Sequence, residues 1–177
     1  MIRMKQMALI AIIGMLSFAR PSNAFLTQIG VGDYLAHTVI NFGNGAIYEF
    51  DVSFDDLTWT GRDLLGFIVD ETDLEWEIQE FSFGTLLDGL TFDGNSNIGF
   101  GGGDNWWQYW VRDDAADSWE SSPVGFSDRT IADGSWDGWV YGNANPPVLI
   151  PEPGTLILFG VGMVALGIGR RRCRWGE

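Results

Sequence analysis

The chain has 177 residues, a formal net charge of −14 and a single cysteine, Cys173. That length allows one domain of ordinary size plus processing segments, and a lone cysteine near the C-terminus excludes a disulfide framework, a thiolate nucleophile and a cysteine-based zinc site from the middle of the chain. Within residues 25–150, Arg62, Arg112 and Arg129 stand against 22 acidic residues, a balance that repels nucleic acid and anionic headgroups and leaves neutral or cationic partners.

Arg3 and Lys5 precede an apolar run from Met7 to Phe18, and Ser22-Asn23-Ala24 follows it. This order of positive, apolar and small-x-small residues is that of a secretory signal peptide over residues 1–24, with cleavage between Ala24 and Phe25. A run this short does not span a bilayer comfortably. The exported protein is therefore expected to begin at Phe25.

The body opens on Thr38-Val39-Ile40-Asn41-Phe42, a strand joined through Gly43-Asn44-Gly45 to a second one, in which Tyr48, Phe50, Val52 and Phe54 alternate with Ile47, Glu49, Asp51 and Ser53. Period two with acidic residues on one side predicts a half-exposed strand, and the glycine-rich turn predicts an antiparallel hairpin. Thr60-Gly61-Arg62-Asp63 then caps a helix, with Leu64 above Ile68 and Leu65 above Val69 on one apolar side. Leu74, Trp76 and Ile78 resume the strand alternation, and further strands are predicted at Leu86 to Phe92, Trp106 to Arg112 and Trp136 to Tyr141. Asp133-Gly134 marks a tight turn before the last of them. The fold class is mainly β (α+β), an antiparallel sheet domain over residues 25–145 with one packed helix and a linker at 146–150, flanked by an N-terminal signal helix and a C-terminal transmembrane helix.

The far end reads Pro151-Glu152-Pro153, then an apolar, glycine-rich stretch over residues 154–169, then Arg170-Arg171-Arg172-Cys173-Arg174. The apolar stretch falls short of the roughly 20 residues that a transmembrane helix needs, yet it is expected to form a C-terminal transmembrane helix over residues 154–169, accommodated by local thinning of the bilayer or with Thr155 and Arg170 at the two interfaces. The arginines place its end in the cytoplasm, so the body lies on the other side of the membrane. This tail, over residues 151–177, resembles the PEP-CTERM sorting domain. The resemblance implies a Gram-negative bacterium that makes exopolysaccharide, with Pro151, Glu152, Pro153, Arg170, Arg171 and Arg172 as the sorting signal. It also implies an exosortase-type membrane protease as a partner, after the secretion machinery and the inner membrane, and onward transfer from the periplasmic side to the cell surface or a biofilm matrix.

A second resemblance covers roughly residues 51–141. The helix at residues 60–71, the Phe83-Gly84-x-x-Leu87-x-Gly89 segment, the aromatic Trp106-Trp107-Gln108-Tyr109-Trp110 strand and Val124-Gly125 leading to Asp133-Gly134 look like the β-rich domain of transcobalamin-type proteins. Such aromatic and glycine positions build a fold rather than a site, so cobalamin binding does not carry over, and no cofactor is expected.

Candidate chemistry is sparse. Asp93-Gly94-Asn95-Ser96-Asn97-Ile98-Gly99 with Asp104 begins like a calcium loop, but its sixth position is Ile98 instead of glycine and a bidentate glutamate is missing, so it reads as a polar turn. His37 is the lone histidine and has no nucleophile motif nearby, which points to a surface or pairing role, and no pair of carboxylates declares itself as catalytic. Neither a catalytic residue nor a metal ligand is assigned, and the chain reads as a non-enzymatic surface protein. The alternative is a binding module for carbohydrate or another small ligand. Strand alternation turns one of Trp106 and Trp107 away from the core, and that ring with Trp110 is expected to offer an exposed strip to neutral exopolysaccharide.

Overall fold

A computed structural model of the chain describes residues 24–103 and 105–149. Residues 1–23 of the signal segment, Asp104, Pro151-Glu152-Pro153 and the apolar stretch at 154–169 lie outside the described residues, and among those described no helix is long and apolar enough to cross a membrane. The elements in chain order are β1 (Ala24–Gly30), β2 (Tyr34–Asn41), β3 (Ile47–Phe54), α1 (Gly61–Glu71), β4 (Glu75–Phe81), β5 (Gly84–Phe92), β6 (Asn95–Ile98), β7 (Trp107–Arg112), β8 (Glu120–Ser121) and β9 (Trp136–Tyr141).

The β2–β3 hairpin forms as the glycine-rich turn requires. Gly43 and Gly45 take φ of +75° and +99°, while the side chains of Asn41 and Asn44 accept from the backbone N–H of Gly43 and Ala46. Along β3 the alternation is complete. Tyr48, Phe50, Val52 and Phe54 are buried, and Glu49, Asp51 and Ser53 occupy the other face.

The sheet that grows from this hairpin has the order β1-β3-β2-β9-β7-β8 and is mixed, where the sequence reading expects antiparallel pairing throughout. β1 runs parallel to β3, and β9 runs parallel to β2. Side-chain alternation reports which face of a strand is buried but not the direction of its neighbour. The reversal at β9 follows from the long excursion before it, since α1 and a second sheet intervene, and a crossover of that length permits parallel pairing.

The second sheet is three-stranded and antiparallel, β4-β5-β6. The β5–β6 turn is Asp93-Gly94, with φ of 48° and 75°, the pair of positive angles that a two-residue hairpin turn demands. The segment that begins like a calcium loop is therefore a hairpin, and β6 lies in it unannounced because Asn95-Ser96-Asn97 carries no apolar alternation. Asp93 is occupied in the fold, accepting from the Tyr48 hydroxyl at 3.1 Å.

Helix α1 is capped as its sequence predicts: the Asp63 N–H donates to the Thr60 hydroxyl and the Thr60 N–H donates to the Asp63 carboxylate. Leu64, Leu65 and Ile68 are buried with Phe50, Phe54, Leu87, Leu90, Phe126 and Trp139 in one continuous core. Phe92 of the second sheet meets Tyr48 and Phe50 edge-on at 4.8 and 5.6 Å, so helix and small sheet cover the same face of the large one. The packed body runs past Tyr141. Pro147, in the segment read as linker, is buried against Gly138, where an added Cβ would meet the proline ring at 2.3 Å.

The start of α1 is closely pressed from three sides. A Cβ on Gly61 would lie 2.7 Å from the Tyr109 hydroxyl, 2.8 Å from an Asp137 carboxylate oxygen and 2.9 Å from the Phe126 carbonyl. Gly61→Ala is therefore expected to destabilise the domain by about 1–3 kcal/mol, the usual range for overpacking, read as a fall in denaturant midpoint at unchanged m-value. A midpoint equal to that of the parent chain contradicts the close approach.

Candidate functional site

The residues of the sorting signal, Pro151, Glu152, Pro153, Arg170, Arg171 and Arg172, lie outside the described residues. Ala24 and Phe25 are the first two residues of β1, paired in parallel register with Ile47 and Tyr48. The expected cleavage bond thus falls inside the first strand, and cutting there leaves Phe25 onward to hold the pairing with β3.

Of the two adjacent tryptophans, one of which is expected to join Trp110 in an exposed strip, Trp107 is the buried one. Trp107 faces the core at 4% exposure, edge-on to Phe42 and tilted against Tyr141, with its indole N–H donating to the Asn97 carbonyl at 3.1 Å. Trp110 belongs to the opposite face of β7 by alternation; it is half-buried, and its Nε1 finds no hydrogen-bond partner among the described residues. Trp106, just before β7, is the ring that reaches solvent, at 37% exposure. Alternation puts Trp107 and Trp110 on different faces and Trp106, four residues from Trp110, on the side of Trp110; of the three rings Trp106 is the most exposed.

Trp106 stands at a cleft of about 220 Å³, lined also by Thr85, Leu87, Gln108, Tyr109, Ser121 and Phe126 among others. That is smaller than the ~300–1,000 Å³ of sites for drug-sized ligands. The cleft is assembled from β5, β7, β9 and the chain around residues 121–126, segments far apart in sequence. The Thr85 hydroxyl already donates to Glu80 and the Ser122 hydroxyl to the Val124 carbonyl. The side chains of Ser121 and Gln108 make no hydrogen bond within the described residues. An indole face beside such polar groups is suited to a sugar ring, whose C–H face stacks while its hydroxyls are exchanged from water to protein.

Behind the cleft lies a buried polar cluster. Asp137 on β9 is 1% exposed; it accepts from the Tyr109 hydroxyl at 2.5 Å and from Arg129 Nε at 2.9 Å. Burial pushes the Asp137 carboxyl above the usual carboxylate range, and the Tyr109 hydroxyl and the Arg129 guanidinium oppose that rise without cancelling it. Burial and then the Asp137 charge likewise raise the Tyr109 phenol. For Arg129 burial pulls downward, but Asp137 outweighs it and the guanidinium is held above its ordinary value. Arg129 also donates to Asp113 and to the Arg112 carbonyl. Tyr109, Arg129 and Asp137 bond one another directly, so the cluster braces the back of the cleft.

On the other face of the large sheet, His37 Nδ1 lies 2.6 Å from an Asp51 carboxylate oxygen, and its ring stacks on Trp136 at 4.0 Å. The pair resembles the orienting half of a catalytic triad, but no hydroxyl or thiol is among its hydrogen-bond partners in the described residues. Nor do His, Cys, Asp and Glu side chains converge there into a group able to hold a metal ion.

Comparison with known families places a PEP-CTERM protein-sorting motif at residues 149–172. A search of curated proteins returned no match. The motif marks an exported protein that carries a C-terminal membrane anchor before processing and is recognised by exosortase, a membrane protease.

The contrast between the two adjacent tryptophans is directly measurable. Trp107→Ala is expected to cost roughly 3–5 kcal/mol as a core truncation, whereas Trp106→Ala is expected to cost under about 1 kcal/mol. Equal losses of thermal stability in the two variants contradict the assignment of faces.

Proposed function

We propose that the folded body is a non-catalytic element of the cell surface or biofilm matrix of a Gram-negative bacterium, delivered by its tail and retained after the tail is removed. The observation that carries this reading is the abutment of body and motif. Buried Pro147 closes the packed domain, and the sorting motif begins at residue 149, so processing within the motif spares every buried residue described here. The acidic body favours the reading as well. Arg62 pairs with Glu80, Arg129 with Asp113 and Asp137, and the Arg112 guanidinium lies in the corner between the perpendicular Trp119 and Trp136 rings. A surface left with so much unbalanced negative charge stays soluble in a periplasm and keeps its distance from anionic lipid.

A second reading, a carbohydrate-binding module, is favoured by the Trp106 cleft. One ring and a few polar groups support only weak binding per copy, so retention in a neutral exopolysaccharide depends on many copies displayed together. The two readings are compatible, since a displayed protein that holds sugar weakly is a matrix component.

The route is tested at its basic end. With Arg170, Arg171, Arg172 and Arg174 changed to neutral residues, the tail loses the charge that fixes its orientation, and fractionation is expected to show unprocessed or mis-sorted protein in place of surface display. Surface display at the level of the parent chain contradicts the delivery model.

A further inference from the structure

A larger cleft, sharing no residue with the one at Trp106, lies where the ends of β1, β3 and α1 come together. It measures about 600 Å³ and is lined by Gly30, Phe54, Asp55, Asp56, Trp59, Phe67 and Glu71 among others, within the ~300–1,000 Å³ of small-ligand sites. Its aromatic wall is organised. Trp59 stacks on buried Phe54 with ring centroids 5.3 Å apart and planes at 16°, and Phe67 is tilted against Trp59 at 5.3 Å and 46°. Gly30, at φ +77°, lets the chain pass close enough that a Cβ there would meet the Phe67 ring at 3.1 Å, so the wall is fixed by packing.

The charge around this wall is of one sign. Asp55, Asp56 and Glu71 are exposed, and none of the arginines of the body lines the cleft. Helix α1 ends at Glu71 with no basic residue in its last turn, which leaves the partial negative charge of the helix C-terminus without a cationic side chain. The Asp56 carboxyl is held below the usual range by the Thr58 hydroxyl and N–H that donate to it. These acids are not gathered for a compact metal ion, since among the described residues no acidic group converges into a ligand set. An aromatic wall with a negative rim instead matches a diffuse cation, whose methyl or methylene groups rest on ring faces while its charge is met by the rings and the carboxylates.

We propose that this cleft binds an organic ammonium group. The domain's negative balance concentrates such cations near its surface, the tryptophan supplies the strongest ring for cation–π attraction, and Asp55 and Glu71 supply the counter-charge. The proposal is independent of sugar binding at Trp106 and of the sorting route.

The test is calorimetric titration of the full chain with choline and with its uncharged isostere 3,3-dimethyl-1-butanol. Choline is expected to bind saturably and about tenfold more tightly than the alcohol, the advantage that a partly desolvated cation–π contact gives. The double variant Asp55→Asn with Glu71→Gln changes exposed groups, so it is expected to keep its melting temperature while its affinity for choline falls several-fold. Equal affinity for choline and the alcohol, an affinity for choline unmoved by the double variant, or no saturable binding of choline would each overturn the proposal.

Discussion

A carboxylate taken wholly out of water is the constraint around which this domain is arranged. Removing Asp137 from solvent costs several kcal/mol unless the charge is paired and hydrogen-bonded, and the fold meets that demand from three directions. Tyr109 comes from β7 and Arg129 from the chain before β9, while Gly61 of α1 omits the side chain that would collide with the group. The same loop that supplies Arg129 also holds the helix: the Arg129 carbonyl accepts from Gly61 and the Phe126 carbonyl from Arg62. The N-terminus of α1, the β7–β9 pair and the 125–130 segment are thus joined at one point in a body with no cysteine to cross-link them. Tyr109 and Phe126 go on to line the Trp106 cleft, so the brace of the fold is also the back wall of the site.

A second tie crosses the opposite face of the large sheet. Asp51, His37, Trp136 and Arg112 occupy matched positions on β3, β2, β9 and β7. Imidazole stacks on indole, and the guanidinium lies over that same indole at 4.0 Å, with Trp119 perpendicular to it and 4.7 Å from the guanidinium. Such contacts contribute on the order of 0.5–2 kcal/mol each. They also consume cations: with Arg112 and Arg129 largely buried and Arg62 paired to Glu80, the surface keeps the acidity that the composition records. That link runs from sequence, through packing, to the class of partner the protein admits.

Much of this was legible in the residues, for identifiable reasons. The β3 alternation, the Thr60–Asp63 cap and the Gly43-Asn44-Gly45 turn are local patterns, and β9 at Trp136–Tyr141 lies where its aromatic run predicts. The sorting tail is legible because its signal is a linear order of residues that needs no fold to be read. What escaped was non-local. Parallel pairing of β2 with β9 depends on a crossover, and β6 lacks an apolar alternation. The bond between Arg129 and Asp137 joins a charge to one that strand patterning marks only as polar. Alternation established that Trp106 and Trp107 point apart, but which one meets the core is decided by Phe42 and Tyr141, distant in sequence. Both clefts are gathered from separated segments, so no window of sequence displays them.

The dependence of the fold on Asp137 is open to one direct measurement, the stability of Arg129→Met against pH. Removing the guanidinium leaves a buried carboxylate short of its main counter-charge, a loss of about 3–5 kcal/mol at neutral pH. Because the folded-state pKa of Asp137 is raised above the ordinary value of 3.8, and further without Arg129, the protonated carboxyl is favoured in the fold. Its contribution is present in acid and is lost as pH rises through the folded-state pKa. The account predicts a variant whose deficit relative to the parent chain is largest near neutrality and shrinks on acidification toward pH 4. A deficit that is absent, or that grows as the pH falls, would contradict it.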